Sequence, residues 1–182
     1  MTLFPGRILV AIDGSEGADL AARMASDVAE ATGSELHLVY VEPLPDFMKD
    51  DAGGPAYDRQ LYRMIEAEAS ETLRKLVWRA KVGGATVDGA HLRMGRVADE
   101  IASSADELEA GLIVVGSRGL GRVKSALAGS VSENVFRRAH RPVMVVRATG
   151  TLPGGSGGGR PRARRAFSYG KGRATGLLTR NI

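Results

Sequence analysis

Residues 114–130, VVGSRGLGRVKSALAGS, have the composition of a loop that binds phosphate, because glycine, serine and basic residues follow a pair of valines. The stretch fits neither common phosphate-loop pattern. In a P-loop that starts at Gly119, Lys124 and Ser125 come one position too early, and no glycine precedes the lysine. The dinucleotide pattern G-x-G-x-x-G fits Gly119 and Gly121 but needs a third glycine where Lys124 stands. We therefore interpret Lys124 and Ser125 as incidental to phosphate binding.

A helix pattern begins at the end of this stretch. Ser130 or Ser132 is predicted to be the N-cap, and Glu133 is spaced to form a capping box with Ser130. Free backbone amides, the helix dipole and the neighbouring Gly129 would together attract an anion. Two interpretations remain open: the segment binds phosphate, or Gly129-Ser130 only caps a helix.

Residue types that could perform catalysis are scattered. Asp13 is the one acidic candidate, and no second carboxylate stands in register with it. His37 and His91 lie within predicted strands, and His140 lies in a basic turn. A strand histidine without a partner at fixed spacing is more often structural than catalytic. No Ser-His-Asp pattern, metal-ligand pair or nucleophile elbow occurs, so the sequence predicts no enzyme.

Short apolar segments alternate with segments of helical periodicity up to residue 147. Strands are predicted at 7–13, 34–41, 85–95, 111–117 and 142–147, and helices at 14–33, 58–82, 96–109 and 130–140. Alternating strands and helices predict an α/β fold. We expect a single doubly wound, open, Rossmann-like sheet of five parallel strands with helices on both faces.

Open parallel sheets bind ligands outside the carboxyl ends of their strands, at the point where the strand order reverses. Four positions follow predicted strands: Asp13, Val41, Gly95 and the loop at Gly116. The site is therefore expected at this edge of the sheet.

Composition is that of an ordinary soluble domain, with 43% hydrophobic and 25% charged residues in a chain of 182. No apolar run approaches the length of a membrane span, and the first residues do not form a signal peptide. The chain contains no cysteine, which fits a reducing compartment. We expect a cytoplasmic protein that does not enter a membrane.

Charge is divided unevenly along the chain. Residues 148–182 hold seven basic residues and no acidic one, whereas residues 1–147 hold all 21 acidic residues and have a net charge of −3. We predict a folded domain over 1–147 and a flexible Gly/Arg-rich basic tail over 148–182. The tail is either a solvated disordered segment or a weak binder of polyanions. Its glycines argue against a membrane-binding helix.

The glycine spacing resembles a known motif. Gly116, Gly119 and Gly129-Ser130 are spaced as in the G-x2-G-x9-G-[S/T] ATP-binding motif of the universal stress protein family. Four flanking segments also resemble that family and occur in its order: ILVAIDGSEGA, LHLVYVEP, HLRMGRVADEI and RRAHRPVMVVR. The resemblance covers residues 7–147 and implies a nucleotide-binding α-hydrolase-like sheet.

The resemblance assigns the phosphates and the ribose to the glycine loop. In this chain that implies Gly116, Gly119, Gly129, Ser130 and the amide of Val131.

The remaining contacts implied by the resemblance lie upstream. Asp13 would lie near the nucleoside and any nucleotide-bound Mg²⁺, Ala11 and Val41 would line the adenine pocket with their backbones, and Met94-Gly95 would lie on the ribose side. Simpler roles stay open for three of them. Asp13 is also a suitable N-cap, Val41 would be apolar in any buried strand, and Gly95 could be a plain turn glycine.

The resemblance implies an ATP-binding stress-response or signalling module that is gated by its ligand and does not act as a catalyst. Members of the family commonly dimerise through their last strand, so we expect a homodimer through residues 142–147. Two alternatives are a nucleotide-independent interaction module of the same fold and a slow ATP hydrolase.

Overall fold

The structure is a computed structural model that describes residues 6–44, 59–117 and 130–147. Within these ranges strands and helices alternate. The elements are β1 (Arg7–Ala11), α1 (Glu16–Thr32), β2 (Glu35–Pro43), α2 (Arg59–Val82), β3 (Gly89–Gly95), α3 (Val97–Glu107), β4 (Leu112–Gly116), α4 (Ser130–Arg138) and β5 (Val143–Val146). None of the described helices is long and apolar enough to cross a membrane. The proposed tail, 148–182, lies outside the described residues, so its separation from the domain stays a prediction.

The five strands form one sheet in the order β3-β2-β1-β4-β5, and every pair is parallel. The chain runs outward from β1 to β3 and then returns to place β4 on the other side of β1. The strand order therefore reverses between β1 and β4, where such sheets bind ligands. The predicted α/β fold is confirmed.

Side chains alternate between two separate cores, one on each face of the sheet. Ile8 and Val10 of β1 pack against α1 and α2, whereas Leu9 packs against α3 and α4. Nearly continuous apolar strands are required because both faces are covered. This double coverage confirms the prediction of helices on both faces.

Helix α1 begins and ends on residues suited to those positions. The Ser15 hydroxyl accepts a hydrogen bond from the amide of Ala18 at 3.2 Å, which makes Ser15 the N-cap. Gly33 ends the helix with a φ of 67°, a left-handed conformation that glycine adopts without strain. The stop predicted at Gly33 is confirmed.

Two local expectations are wrong. Val41 is not the end of the second strand, because Glu42 and Pro43 continue the ladder by pairing with Met94 and Gly95. Ser132 is not an N-cap either, because α4 begins at Ser130 and Ser132 lies inside the helix with only 2% of its surface exposed.

The carboxylate of Glu133 binds the Arg137 guanidinium at 2.8 Å, one turn further along α4. The capping box with Ser130 stays a prediction, because the structure does not describe the side chain of Ser130.

A pair of histidines lies on adjacent strands beneath α3. Nδ1 of His37 lies 3.0 Å from Nε2 of His91, and the two rings stack. Gly89 makes room for this pair, since a Cβ atom there would lie 2.3 Å from the His37 ring. The His37 ring also contacts Glu35 at 3.3 Å. Both histidines are held by structural contacts, in agreement with the interpretation made from sequence.

This pair predicts a loss of stability in mild acid. Burial is the main cause that lowers the pKa of His91 below its usual 6.5, and the charges of His37 and Arg93 lower it further. The charge of Glu107 acts in the opposite direction and raises the pKa. A proton therefore binds the unfolded chain more tightly than the native chain, and native stability falls as the pH drops below about 6.5. We expect the free energy of unfolding, measured with urea, to fall less in His91→Gln than in the wild type between about pH 8 and about pH 5.

Met24→Gln, at an exposed position on α1, provides a control that removes no titratable group. It should retain the wild-type pH dependence. An unchanged decline in His91→Gln would contradict this role for the pair.

Candidate functional site

Three of the predicted site residues lie at the carboxyl ends of neighbouring strands. Ala11 ends β1 and pairs with Val39, two residues before Val41 on β2. Gly116 ends β4 on the other side of β1. The side chains of Ala11 and Val41 face the same core as α3 and α4. The fold thus brings Ala11, Val41 and Gly116 to one edge of the sheet.

Gly116 lies directly against the first turn of α1. A Cβ atom at this position would lie 2.6 Å from the carbonyl carbon of Gly17 and 3.0 Å from the amide nitrogen of Ala18. Both neighbours are backbone atoms, so they cannot rotate away. Glycine is therefore required here for close packing between β4 and α1, whether or not a ligand is bound.

Asp13 lies in the turn that joins β1 to α1. Its Oδ1 accepts a hydrogen bond from the amide of Ser15 at 2.9 Å, so Asp13 orders the turn while Ser15 caps the helix. Asp13 is therefore not the N-cap of α1, which was the alternative role left open from the sequence.

The charge of the Asp13 carboxylate also raises the pKa of Tyr40, near the end of β2. Burial, the hydrogen bond to Glu42 and the charges of Glu42 and Asp13 raise the pKa of Tyr40 far above its usual value. Asp13 is therefore within electrostatic range of β2 at this edge of the sheet.

Gly95 ends β3 in a conformation that favours glycine, with a φ of 148°. A Cβ atom there would lie 2.9 Å from Oε1 of Glu100 on α3. Met94 pairs with Glu42 and Gly95 with Pro43 at the ends of the two strands. The bend at Gly95 lets the chain turn at once into α3.

An open pocket of about 300 Å³ lies between these strand ends and the first turns of α3 and α4. It is lined by Pro43, Gly95, Arg96, Val97, Ala98, Asp99, Val131, Asn134 and Arg138. Two predicted site residues, Gly95 and Val131, therefore face one pocket from different elements. Ala11, Asp13, Val41, Met94 and Gly116 do not line it.

The pocket also contains residues that the sequence prediction missed. Asn134 and Arg138 lie three and seven residues after the predicted Val131, so they share its face of α4. That spacing could have identified them. Arg138 binds Asp99 at 2.6 Å, and Arg96 adds a second positive charge to the wall. The pocket therefore has an excess of positive charge, which suits an anionic ligand.

The first turn of α3 adds backbone donors to this wall. Arg96 occupies the N-cap position and makes no side-chain cap hydrogen bond. The amides at the start of a helix carry partial positive charge and point outward along the axis. They therefore add to the positive character of the pocket.

Three of the predicted ligand contacts are described only in part or not at all. Ser130 is the first residue of α4, as expected for the start of a helix that binds phosphate. Gly119 and Gly129 lie outside the described residues.

Metal ligation was expected only through a nucleotide. Among the described residues there is no group of three or more His, Asp or Glu side chains that could hold a metal ion. Mg²⁺ needs only one or two carboxylates when phosphates and water supply its other ligands. Asp13 alone fits that requirement, provided that a phosphate lies beside it.

Comparison with known proteins identifies the family of this chain. A family model described as the Universal stress protein family matches residues 5–147. A universal stress protein of Thermus aquaticus is 37% identical over 141 residues, which are 77% of this chain and 97% of the relative.

Solved structures with similar folds include two complexes with nucleotides. One is a universal stress protein in complex with cAMP, 29% identical with a TM-score of 0.56, and the match covers 79% of this chain and 98% of the other. Another is the universal stress protein from Archaeoglobus fulgidus in complex with dAMP, 28% identical with a TM-score of 0.55, covering 78% and 98% of the two chains.

Proposed function

The chain belongs to the universal stress protein family, and we propose that it binds an adenine nucleotide, ATP, at the carboxyl edge of its sheet. Binding would serve a stress-response or signalling role in which the ligand controls the state of the protein. The nucleotide-binding domain would comprise residues 1–147, with 148–182 as a flexible tail. A cytoplasmic location, expected from the absence of cysteine, stays a prediction.

The observation that carries this proposal is the pocket between Gly95 on β3 and Val131 on α4. Its wall has an excess of positive charge, and the first turns of two helices border it. Two relatives with this fold have been solved with cAMP and with dAMP, both of which are adenine nucleotides carrying one phosphate. An anionic nucleotide suits both the charge and the position of this pocket.

We assign the phosphates to the start of α4. Ser130 and the Val131 amide would donate hydrogen bonds to phosphate oxygens, and the helix dipole would favour the negative charge. Gly119 and Gly129 would let the backbone approach the phosphates closely. A bound Mg²⁺, held by Asp13 and the phosphates, would neutralise part of the phosphate charge.

We assign the nucleoside to the strand ends. The backbones of Ala11 and Val41 would border adenine, and Met94 and Gly95 would lie beside the ribose.

Titration calorimetry with the full-length chain tests this proposal. We expect saturable binding of ATP with one nucleotide per chain, and weaker binding when salt screens the phosphate charge. Parallel titrations with ADP, AMP and cAMP would identify the preferred nucleotide. Absence of binding by all four would contradict the proposal.

We also propose that the chain forms a homodimer through residues 142–147. The sheet order supports this, because β5 is an edge strand with apolar residues. Pro142 and Val146 direct their carbonyls toward β4, where they accept hydrogen bonds from Ile113 at 2.9 Å and Ser117 at 2.7 Å. By alternation, Val143 and Val145 direct their backbone groups toward the open edge, where a second chain could pair.

Val145→Pro tests this edge without removing a ladder bond to β4. Proline lacks the N–H that faces the open edge, and edge strands tolerate it. We expect light scattering at micromolar concentration to change from a dimer to a monomer. A wild-type monomer, or a dimer that is unaffected by Val145→Pro, would contradict pairing through β5.

A further inference from the structure

Helix α2 presents three large apolar side chains on its outward face. Its inner face, which includes Leu73 and Leu76, packs against the core on the α1 side of the sheet. Its outer face presents Met64, Trp78 and Val82 with 61%, 68% and 67% of their surfaces exposed. Trp78 is the only tryptophan of the chain. Large apolar side chains that share one exposed stripe indicate a contact surface.

The spacing of these residues is that of a helix–helix contact. Met64, Glu71 and Trp78 follow one another at seven-residue intervals. Lys75 lies four residues after Glu71, and Val82 lies four residues after Trp78. An interval of seven residues, alternating four and three, is the repeat by which two helices pack along their length. We call these five residues the α2 stripe.

Charge is divided between the two halves of the outward face of α2. On this face the half before Leu73 carries Glu68 and Glu71, and the half after it carries Lys75. Arg59 and Arg63 also belong to the first half, but at 3.6 residues per turn they lie on other sides of the helix. Within the helix, Glu71 contacts Arg74 and Lys75, yet both cations keep more than 70% of their side chains exposed. A second α2 that runs in the opposite direction would place acidic halves against basic halves.

We propose that a second copy of this chain packs on the α2 stripe, with the two helices antiparallel about a two-fold axis near Leu73. Met64 of each copy then lies opposite Val82 of the other, and Glu71 lies opposite Lys75. Each contact occurs twice, as a two-fold interface requires. The stripe is thus complementary to itself in both apolar character and charge.

A shallow, open depression on the surface of α2, which includes Glu71 and Lys75 of the stripe, is where Trp78 of the second copy would lie. It has a volume of about 510 Å³ and is lined by Ala67, Glu68, Glu71, Thr72 and Lys75. In the antiparallel arrangement Trp78 of one copy lies opposite Glu68 of the other, at this depression. The indole would bury its ring against Ala67 and the aliphatic stems of the charged side chains.

A polyanion or an anionic membrane fits the same face less well. Trp78 and the basic half of α2 would attract either one. However, Glu68 and Glu71 continue the same face and would repel a phosphate chain or a charged bilayer surface. Only a partner with the opposite order of charges satisfies both halves, and a second α2 has that order.

This contact is independent of the β5 edge. Helix α2 packs against β2 and β3, whereas β5 forms the opposite edge of the sheet. We expect the α2 contact to be the weaker of the two and to form only at high micromolar concentration. Val145→Pro, measured at low micromolar concentration, therefore reports on the β5 edge alone and leaves the α2 stripe unchanged.

Cross-linking provides a direct test because the chain has no cysteine. Met64→Cys and Val82→Cys are made separately in the full-length protein, mixed and oxidised mildly. We expect a mixed disulfide dimer to form at least about tenfold faster than in the matched mixture of Met24→Cys and Val82→Cys, since Met24 is exposed on α1. Equal rates in the two mixtures would overturn the proposal.

Charge exchange tests the register. Glu71→Lys and Lys75→Glu should each weaken self-association about tenfold by sedimentation, and the double variant should restore it. Nucleotide titration, which does not involve α2, checks that each variant is folded. Failure of the double variant to recover would overturn the antiparallel register.

Fluorescence of Trp78 distinguishes a second copy of the chain from other ligands that could bind the α2 stripe. We expect its emission to shift to shorter wavelength as the concentration of wild-type protein rises from nanomolar to high micromolar. A shift that appears only on adding single-stranded RNA or anionic phosphatidylserine vesicles, and not with protein concentration, would overturn the proposal in favour of those ligands.

Discussion

Replacing Gly116 with alanine is expected to lower the free energy of unfolding by about 3 kcal/mol, the upper end of the usual cost of overpacking. The new methyl group would lie 2.6 Å from the Gly17 carbonyl carbon and 2.7 Å from its oxygen. Relief requires α1 or β4 to move as a whole, since no side chain can rotate away. Any such movement also displaces the turn that holds Asp13, so nucleotide affinity should fall as well.

Urea unfolding of Gly116→Ala and Gly6→Ala measures this effect. Gly6 is the matched control because a Cβ atom there would meet nothing within 4 Å. We expect Gly6→Ala to unfold close to the wild-type midpoint. Equal stability of Gly116→Ala and the wild type would contradict the close packing of β4 on α1.

Replacing Gly129 with valine and Ser130 with alanine together should reduce ATP affinity by about 100-fold. A hydrogen bond to a charged phosphate contributes about 1.5–3 kcal/mol, and each 1.4 kcal/mol corresponds to a tenfold change in affinity. The double variant removes one hydroxyl donor and blocks the close approach of the backbone at the start of α4. Helix α4 itself remains held through Val135, which is fully buried against the sheet.

Lys124→Ala combined with Ser125→Ala is the matched control, because these residues resemble a P-loop without fitting its spacing. We expect this control to bind ATP within a few-fold of the wild type, and circular dichroism should show that both double variants are folded. A large loss in the control and none in the Gly129/Ser130 variant would reverse the assignment.

The fold could be predicted from the sequence because its signals are local. The apolar run at 7–13 and the helical spacing that ends at Gly33 depend only on neighbouring residues. The alternation of strands and helices then restricts the sheet to parallel crossovers. The end of β2 was missed, because the pairing of Pro43 with Gly95 joins residues far apart in the chain.

The site could be predicted only in outline. Glycine spacing identified Gly116 as a candidate, and the end of a predicted strand identified Gly95. Neither revealed the close approach of Gly17 that makes Gly116 necessary. Helical spacing could have placed Arg138 on the same face of α4 as Val131, but the contact between Arg138 and Asp99 depends on how α3 and α4 pack, which no local pattern encodes.

The two strand histidines show the same limit. Each was interpreted as structural, and the structure gives each a partner on the neighbouring strand. Nevertheless, the contact between His37 and His91 depends on the register in which β2 pairs with β3. That register could not be predicted from the sequences of the two strands alone.

Mass spectrometry of the ligand released from freshly purified full-length protein tests nucleotide binding most directly. We expect denaturation to release an adenine nucleotide from the wild type and little or none from the Gly129/Ser130 double variant. A wild-type sample that releases no nucleotide, and that also fails to bind ATP on titration, would contradict the central proposal.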